Sequence, residues 1–116
     1  MVFQKIKELL GGEIKQIVSG GAPLSKEVKD FFSIVFSCPV EEVYGATEAT
    51  GGVTSTCIWD RSTGNTGGPL CVCKLKLRDV PELGYLSTDK PYPRGEVCLK
   101  GLTVFDGYFR NPDLTS

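Results

Sequence analysis

Two short segments hold the side chains best suited to handling a nucleotide: Ser19-Gly20-Gly21-Ala22-Pro23-Leu24-Ser25 and Tyr44-Gly45-Ala46-Thr47-Glu48. A tyrosine ring offers a stacking face to a purine, and a glycine lets backbone approach a ligand closely. A threonine hydroxyl can hydrogen-bond a phosphate oxygen, and a glutamate is a hard oxygen ligand for Mg2+. The same five residues also suit a β-turn with a capping Thr47 and a solvated Glu48, and spacing alone does not decide between the two. Histidine is absent from the sequence, which excludes a Cys/His zinc site, a Ser-His-Asp triad and a Cys-His dyad.

The elements that must position these residues are legible in the apolar pattern. Phe3, Ile6, Leu9 and Leu10 recur at helical spacing and Gly11-Gly12 supplies a stop. Ile14 to Val18 reads as a strand that runs into the loop Ser19 to Pro23. Ser25 is a candidate N-cap for a second helix whose apolar stripe is Val28, Phe31, Phe32, Val35 and Phe36, with Lys26, Glu27, Lys29 and Asp30 on the opposite side. Pro39 ends it, and Val40 to Tyr44 gives another strand, closing a β-α-β unit of the length a parallel crossover needs. Both polar segments then fall at the carboxyl ends of neighbouring strands, where ligands bind in open α/β sheets.

Beyond Gly51-Gly52 the punctuation changes, with Gly64, Gly67-Gly68-Pro69, Pro81, Pro91 and Pro93 separating short apolar runs. Leu70 to Leu77, Gly95 to Leu99 and Thr103 to Phe109 are expected as strands, antiparallel or barrel-like. The expected division is 1–63 for a partial α/β subdomain and 64–116 for a partial β-rich one. Asn111-Pro112-Asp113-Leu114-Thr115-Ser116 reads as the start of a helix that is not continued, so the chain is expected to be an internal fragment.

Composition bounds the partners. Thirteen basic and fourteen acidic residues leave a net charge of −1, with no basic block to neutralise a phosphate backbone, so nucleic acid is not expected. No apolar run approaches the roughly 20 residues that span a bilayer. Five cysteines, an odd count, together with an opening that lacks a signal-peptide pattern favour an intracellular, cytosol-facing setting; membrane association of a longer parent is left open. Cys71 and Cys73 would share one face of a strand, and all five thiols are read as structural.

At the two polar segments the chain resembles the adenylate-forming (AMP-binding) superfamily of acyl-CoA synthetases, coumarate-CoA ligases and luciferases. Its S-G-G-A-P-L element stands as Ser19 to Leu24, and its Y-G-x-T-E element as Tyr44 to Glu48, in the family's order and distance. The resemblance continues through Gly64-Asn65-Thr66-Gly67-Gly68-Pro69, Arg94 to Gly101 and Phe105-Asp106-Gly107-Tyr108-Phe109. The opening Phe3 to Leu10 with Gly11-Gly12, and Asp79 to Tyr85, look most like the eukaryotic long-chain fatty acyl-CoA synthetases.

The resemblance implies a partial adenylate-forming N-terminal domain that binds ATP, with Mg2+ and coenzyme A serving the parent enzyme. Gly20, Gly21, Ala22 and Pro23 would border the adenine and the acyl carboxylate, and Tyr44 would lie against the purine beside Gly45 and Ala46. Thr47 would bond the α-phosphate and Glu48 would hold magnesium, making these two the catalytic candidates. The family's phosphate loop with its lysine would lie upstream. The T-G-D aspartate, the hinge and the C-terminal domain with its catalytic lysine would lie downstream, and none of these is in the sequence. The isolated chain is therefore expected to be inactive, and its uncovered apolar stripe to favour self-association. Two alternatives stand beside the long-chain reading: a non-catalytic binding module derived from the family, and a ligase of the same superfamily for another carboxylate.

Overall fold

The computed structural model describes residues 3–115. Helix α1, Gln4–Leu9, ends where Gly11 and Gly12 adopt positive φ. Strand β1, Ile17–Gly20, is shorter than the expected Ile14 to Val18 and starts later. Helix α2, Lys26–Phe36, is capped by Ser25, whose hydroxyl accepts from the Val28 N–H at 3.3 Å. It stops at Ser37, which turns left-handed (φ 54°) ahead of Pro39. Strand β2, Val40–Ala46, then lies parallel to β1, with Ile17 opposite Val40 and Gly20 opposite Val43. The expected β-α-β crossover is formed.

Strand β3, Gly51–Ser55, was not among the expected strands; it returns beside β2 after a 3-10 turn at Thr47–Ala49. Its glycine pair hides the strand pattern, and pairing with β2 supplies what propensity lacks. The short strand β4, Gly68–Pro69, pairs antiparallel with β3 and completes a sheet of order β1-β2-β3-β4. Strands β5, Cys73–Arg78, and β6, Glu96–Gly101, form a separate antiparallel pair in register from Cys73↔Gly101 to Arg78↔Glu96. The fold is mixed α/β, as expected, and its β-rich part is this two-stranded ribbon without a closed barrel among the described residues. Thr103 to Phe109 forms turns and not a strand, and Cys71 lies in a turn ahead of β5, so it does not share a strand face with Cys73. All five cysteines are free thiols.

The chain divides into two compact units, one running through Ala46 and taking in Gly52–Leu70, the other made of Thr47–Gly51 and residues 71–115. In the first, Val35, Phe36 and Cys38 are buried with Phe3, Ile6, Ile14, Ile17 and Phe32 packed against them. Each such aliphatic or aromatic side chain taken from water contributes roughly 2 kcal/mol. The burial of Cys38 also pushes its thiol pKa up.

The stripe on α2 is turned from its expected direction. Val28, Phe31 and Ile34 are largely exposed, whereas Lys29, expected on the solvent side, is 5% exposed. Lys29, Phe32 and Phe36 follow one another at the three- and four-residue steps of one helix face, so the face that buries Phe32 and Phe36 takes Lys29 in with them. Removing an ammonium from water costs several kcal/mol unless partners meet it. Here Glu42 Oε1 lies 3.1 Å from Nζ, and the Ser62 carbonyl accepts from it at 2.6 Å.

In the second unit the link between β5 and β6 is held by short polar bonds. Asp79 accepts from the Ser87 N–H (2.6 Å), Asp89 from the Leu86 N–H (2.9 Å), and Arg94 donates to Asp89 (2.9 Å) and to the Gly84 carbonyl (3.0 Å). These bonds hold the Asp79 and Asp89 carboxyls below the usual carboxylate range.

The path of the segment that enters β4 depends on Gly67. Its φ is +69°, and a Cβ there would sit 1.9 Å from the Ser55 carbonyl oxygen, backbone against backbone. Gly67→Ala should therefore destabilise the first unit by about 3 kcal/mol. Thermal melting followed by circular dichroism should show a midpoint lowered by about 10 °C or more; an unshifted midpoint would mean that this segment takes another path.

Candidate functional site

The loop after β1 and the carboxyl end of β2 meet, in the first unit, at a cleft of about 430 Å³. Parallel pairing in register is what brings them together, because Gly20 opposite Val43 sets the two loops side by side. The approach is close: a Cβ on Gly20 would lie 2.7 Å from Val43 Cγ2. Gly21, Ala22, Pro23, Tyr44 and Gly45 line the cleft. Gly20 and Ala46, on the strands that lead there, do not. The volume lies within the range of small-molecule sites, and the lining mixes an aromatic ring with backbone and small polar groups, as such sites do.

Gly64, Asn65 and Thr66, expected only as a turn, and Glu42, expected only as a strand residue, all line the cleft. Glu42 was detectable in principle, since it stands two residues before Tyr44 and strand alternation puts both on one face. The Gly64 to Thr66 wall had no comparable signal. Local bonds shape it, the Asn65 amide donating to Ser62 Oγ (2.7 Å) and Asn65 Oδ1 accepting from the Gly67 N–H (2.9 Å), and the Lys29 ammonium ties it to α2 through the Ser62 carbonyl (2.6 Å).

Thr47 and Glu48 belong to the second unit, in the 3-10 turn that follows β2, and both are exposed. Residues 103–108 grip this turn. The Phe105 N–H donates to the Glu48 carbonyl at 2.9 Å, Thr50 Oγ1 donates to the Thr103 carbonyl at 2.6 Å, and the Tyr108 hydroxyl donates to Glu48 Oε1. The Tyr108 bond, and after it the backbone N–H of Glu48 itself, hold the Glu48 carboxyl below its ordinary range, and the same bond raises the Tyr108 phenol. Glu48 is thus an ionised, accessible carboxylate near neutral pH. No group of three or more His, Cys, Asp or Glu side chains converges among the described residues. A lone hard carboxylate fits Mg2+, which keeps several waters and takes its other oxygens from phosphates, better than it fits a metal needing a full protein cage.

A carboxyl held below its ordinary value of 4.5 contributes stability that is present above that pH and is lost as pH falls through the depressed value. Tyr108→Phe removes the leading cause, so the Glu48 titration followed by carboxyl carbon NMR should move up toward 4.5. An unmoved titration would exclude Tyr108 as its source.

The model of the family described as "AMP-binding enzyme" matches residues 2–109. Fatty acyl-CoA synthetase A of Dictyostelium discoideum is 49% identical over 115 residues, which is 99% of this chain and 17% of that protein. The peroxisomal long chain acyl-CoA synthetase 7 of Arabidopsis thaliana is 45% identical over the same share of this chain and 16% of its own length. Among solved structures, the A domain of a carboxylic acid reductase from Segniliparus rugosus, in complex with AMP and a co-purified carboxylic acid, superposes with a TM-score of 0.72 at 42% identity. That match covers 98% of this chain and 17% of the reductase chain. The chain thus spans about a sixth of the length of these relatives, and with the family model matching nearly all of it, it belongs to the AMP-binding enzyme family.

Proposed function

We propose that this chain supplies part of the adenylate site of a long-chain fatty acyl-CoA synthetase. The observation that carries the reading is the cleft itself: Gly21, Ala22 and Pro23 from one loop and Tyr44 and Gly45 from the other share it, and these are the residues the two motifs single out. The identity with proteins named as fatty acyl-CoA and long chain acyl-CoA synthetases supports the substrate class.

In the reaction proposed, a fatty acid carboxylate oxygen attacks the α-phosphorus of ATP, a P–O bond to the leaving group breaks, and acyl-AMP and pyrophosphate result. The thiolate of coenzyme A then attacks the acyl carbon, and AMP departs. Within this scheme Tyr44 stacks on the purine, while the Gly20 to Pro23 backbone borders the adenine and the acyl carboxylate. Gly45 and Ala46 keep side-chain bulk away from the nucleotide, the Thr47 hydroxyl donates to an α-phosphate oxygen, and Glu48 holds Mg2+. When bound, the metal offsets the negative charge gathered at phosphorus. Orientation of the Glu48 carboxylate by Tyr108 spares that reorganisation during the reaction. A second reading, a synthetase or reductase domain for another carboxylate, draws on the likeness to the Segniliparus rugosus domain, whose structure contains a co-purified carboxylic acid.

Two expected outcomes test the proposal. The 116-residue chain alone should form no acyl-CoA from palmitate, ATP and coenzyme A above a protein-free blank, since aligning the reactants supplies much of the rate and the groups that would complete the alignment are outside it. In a longer protein carrying these residues, Glu48→Gln should lower pyrophosphate release by about a hundredfold. An undiminished rate at limiting magnesium would remove Glu48 as the metal ligand, and release with benzoate in place of palmitate would favour the second reading.

A further inference from the structure

Lys29 does not line the cleft, yet its ammonium joins two of the cleft's walls. One bond goes to Oε1 of Glu42 (3.1 Å), which lines the cleft directly. The other goes to the carbonyl of Ser62 (2.6 Å), the residue from which the opposite segment hangs. Ser62 Oγ accepts from the Asn65 amide, and Asn65 Oδ1 from the Gly67 N–H, which fixes the Gly64 to Thr66 wall. The Glu42 backbone is anchored as well: its N–H donates to Thr56 Oγ1 and its carbonyl accepts from the Thr56 N–H, each at 2.9 Å. Glu42 is therefore a fixed post, and Lys29 ties a loop of exposed residues to it.

Both charged side chains are nearly sealed, at 6% and 8% exposure, so neither can swing out to water and leave the other unpaired at small cost. A surface ion pair would not have this property, because solvent would replace the lost partner. The loop that the tie restrains also carries local bonds, the Ser62 N–H donating to Asp60 Oδ1 (2.8 Å) and Asn65 bonding to Ser62 and Gly67. It lies between Cys57 and Gly68 without regular structure, and Arg61, Ser62, Gly64, Asn65 and Thr66 are exposed. Untied, such a segment would have to be ordered at each binding event, at an entropic cost that weakens affinity.

We propose that Lys29 is a positioning residue that presets the width of the nucleotide cleft by tying the 62–67 loop to Glu42, an inference that rests on reading the cleft as the adenylate site. Lys29 makes no contact with the nucleotide; it acts through Glu42 and Ser62.

The test compares the 116-residue chain with its Lys29→Met and Lys29→Arg variants, using AMP as the ligand. Amide hydrogen exchange and AMP affinity by calorimetry are the two readouts. Lys29→Met should speed exchange at Gly64, Asn65, Thr66 and Gly67 by about tenfold while β5 and β6 stay unchanged, and should weaken AMP binding by about fivefold. Lys29→Arg, which keeps the charge and can donate to both partners, should recover both. If Lys29→Met does not fold, Lys29→Met/Glu42→Gln, which removes both buried charges together, carries the same comparison. Unchanged loop exchange in whichever variant folds would overturn the proposal. So would uniform acceleration through the whole first unit without recovery in Lys29→Arg, since that is the mark of a structural role only. Failure of the unsubstituted chain to bind AMP would overturn the role at a nucleotide cleft in this chain, while the exchange data would still report whether Lys29 orders the loop.

Discussion

A charge buried in a small α/β unit constrains everything within its reach, and Lys29 is that charge. Because an ammonium cannot be left dry and unpaired, α2 must sit so that Glu42 on β2 faces it, and the loop after β3 must bring a carbonyl to it. Helix, central strand and loop are thereby fixed against one another by a group with three donors and no tolerance for vacancy. The apolar contacts of Val35, Phe36 and Phe32 supply most of the adhesion, but they are non-directional and would accept small slips of α2 along the sheet. The ion pair accepts fewer. Such pairs add little net stability, so its value here lies in geometry.

The cleft follows from that geometry. A parallel crossover sets the loops after β1 and β2 next to each other at one end of the sheet, and the close approach at Gly20 keeps them so. Aromatic ring, glycine-rich backbone and a third wall from Gly64 to Thr66 then line a space of about 430 Å³. In the other unit the Thr47–Ala49 turn is gripped at its backbone and at the Glu48 carboxylate by residues 103–108, which keeps an exposed anion in one orientation and ionised. In both places a flexible, polar segment is made definite by bonds from residues distant in sequence. Bonds of this kind let a polar group meet charge without reorganising.

Two segments take structures that their propensity does not favour. β3 opens with two glycines and would not be picked as a strand, yet it forms because β2 and β4 present edges on either side of it. Thr103 to Phe109 has the aromatic and β-branched residues of a strand, yet it is drawn into turns whose groups serve Glu48 and Thr50. The expected barrel character of the second half gives way, among the described residues, to a ribbon in which Cys73–Arg78 and Glu96–Gly101 pair in register.

What the sequence by itself determined was whatever depends on neighbours along the chain: the cap at Ser25, the stop at Gly11-Gly12, the β-α-β order, and the two motif loops at the ends of parallel strands. Those features are local in their physics, since capping, turn formation and hydrophobic period all act within a few residues. Tertiary structure decided the inward turn of Lys29, the membership of Glu42 and Gly64 to Thr66 in the cleft, and the hold of Tyr108 on Glu48. A lysine beside acidic neighbours on a helix reads as solvated until a partner charge appears on a strand that sequence order does not place opposite it. A tyrosine reads as packing until its hydroxyl meets a carboxylate from a distant turn. Desolvation and long-range hydrogen bonding exist only once the chain has closed on itself, and that is why no local pattern announced them.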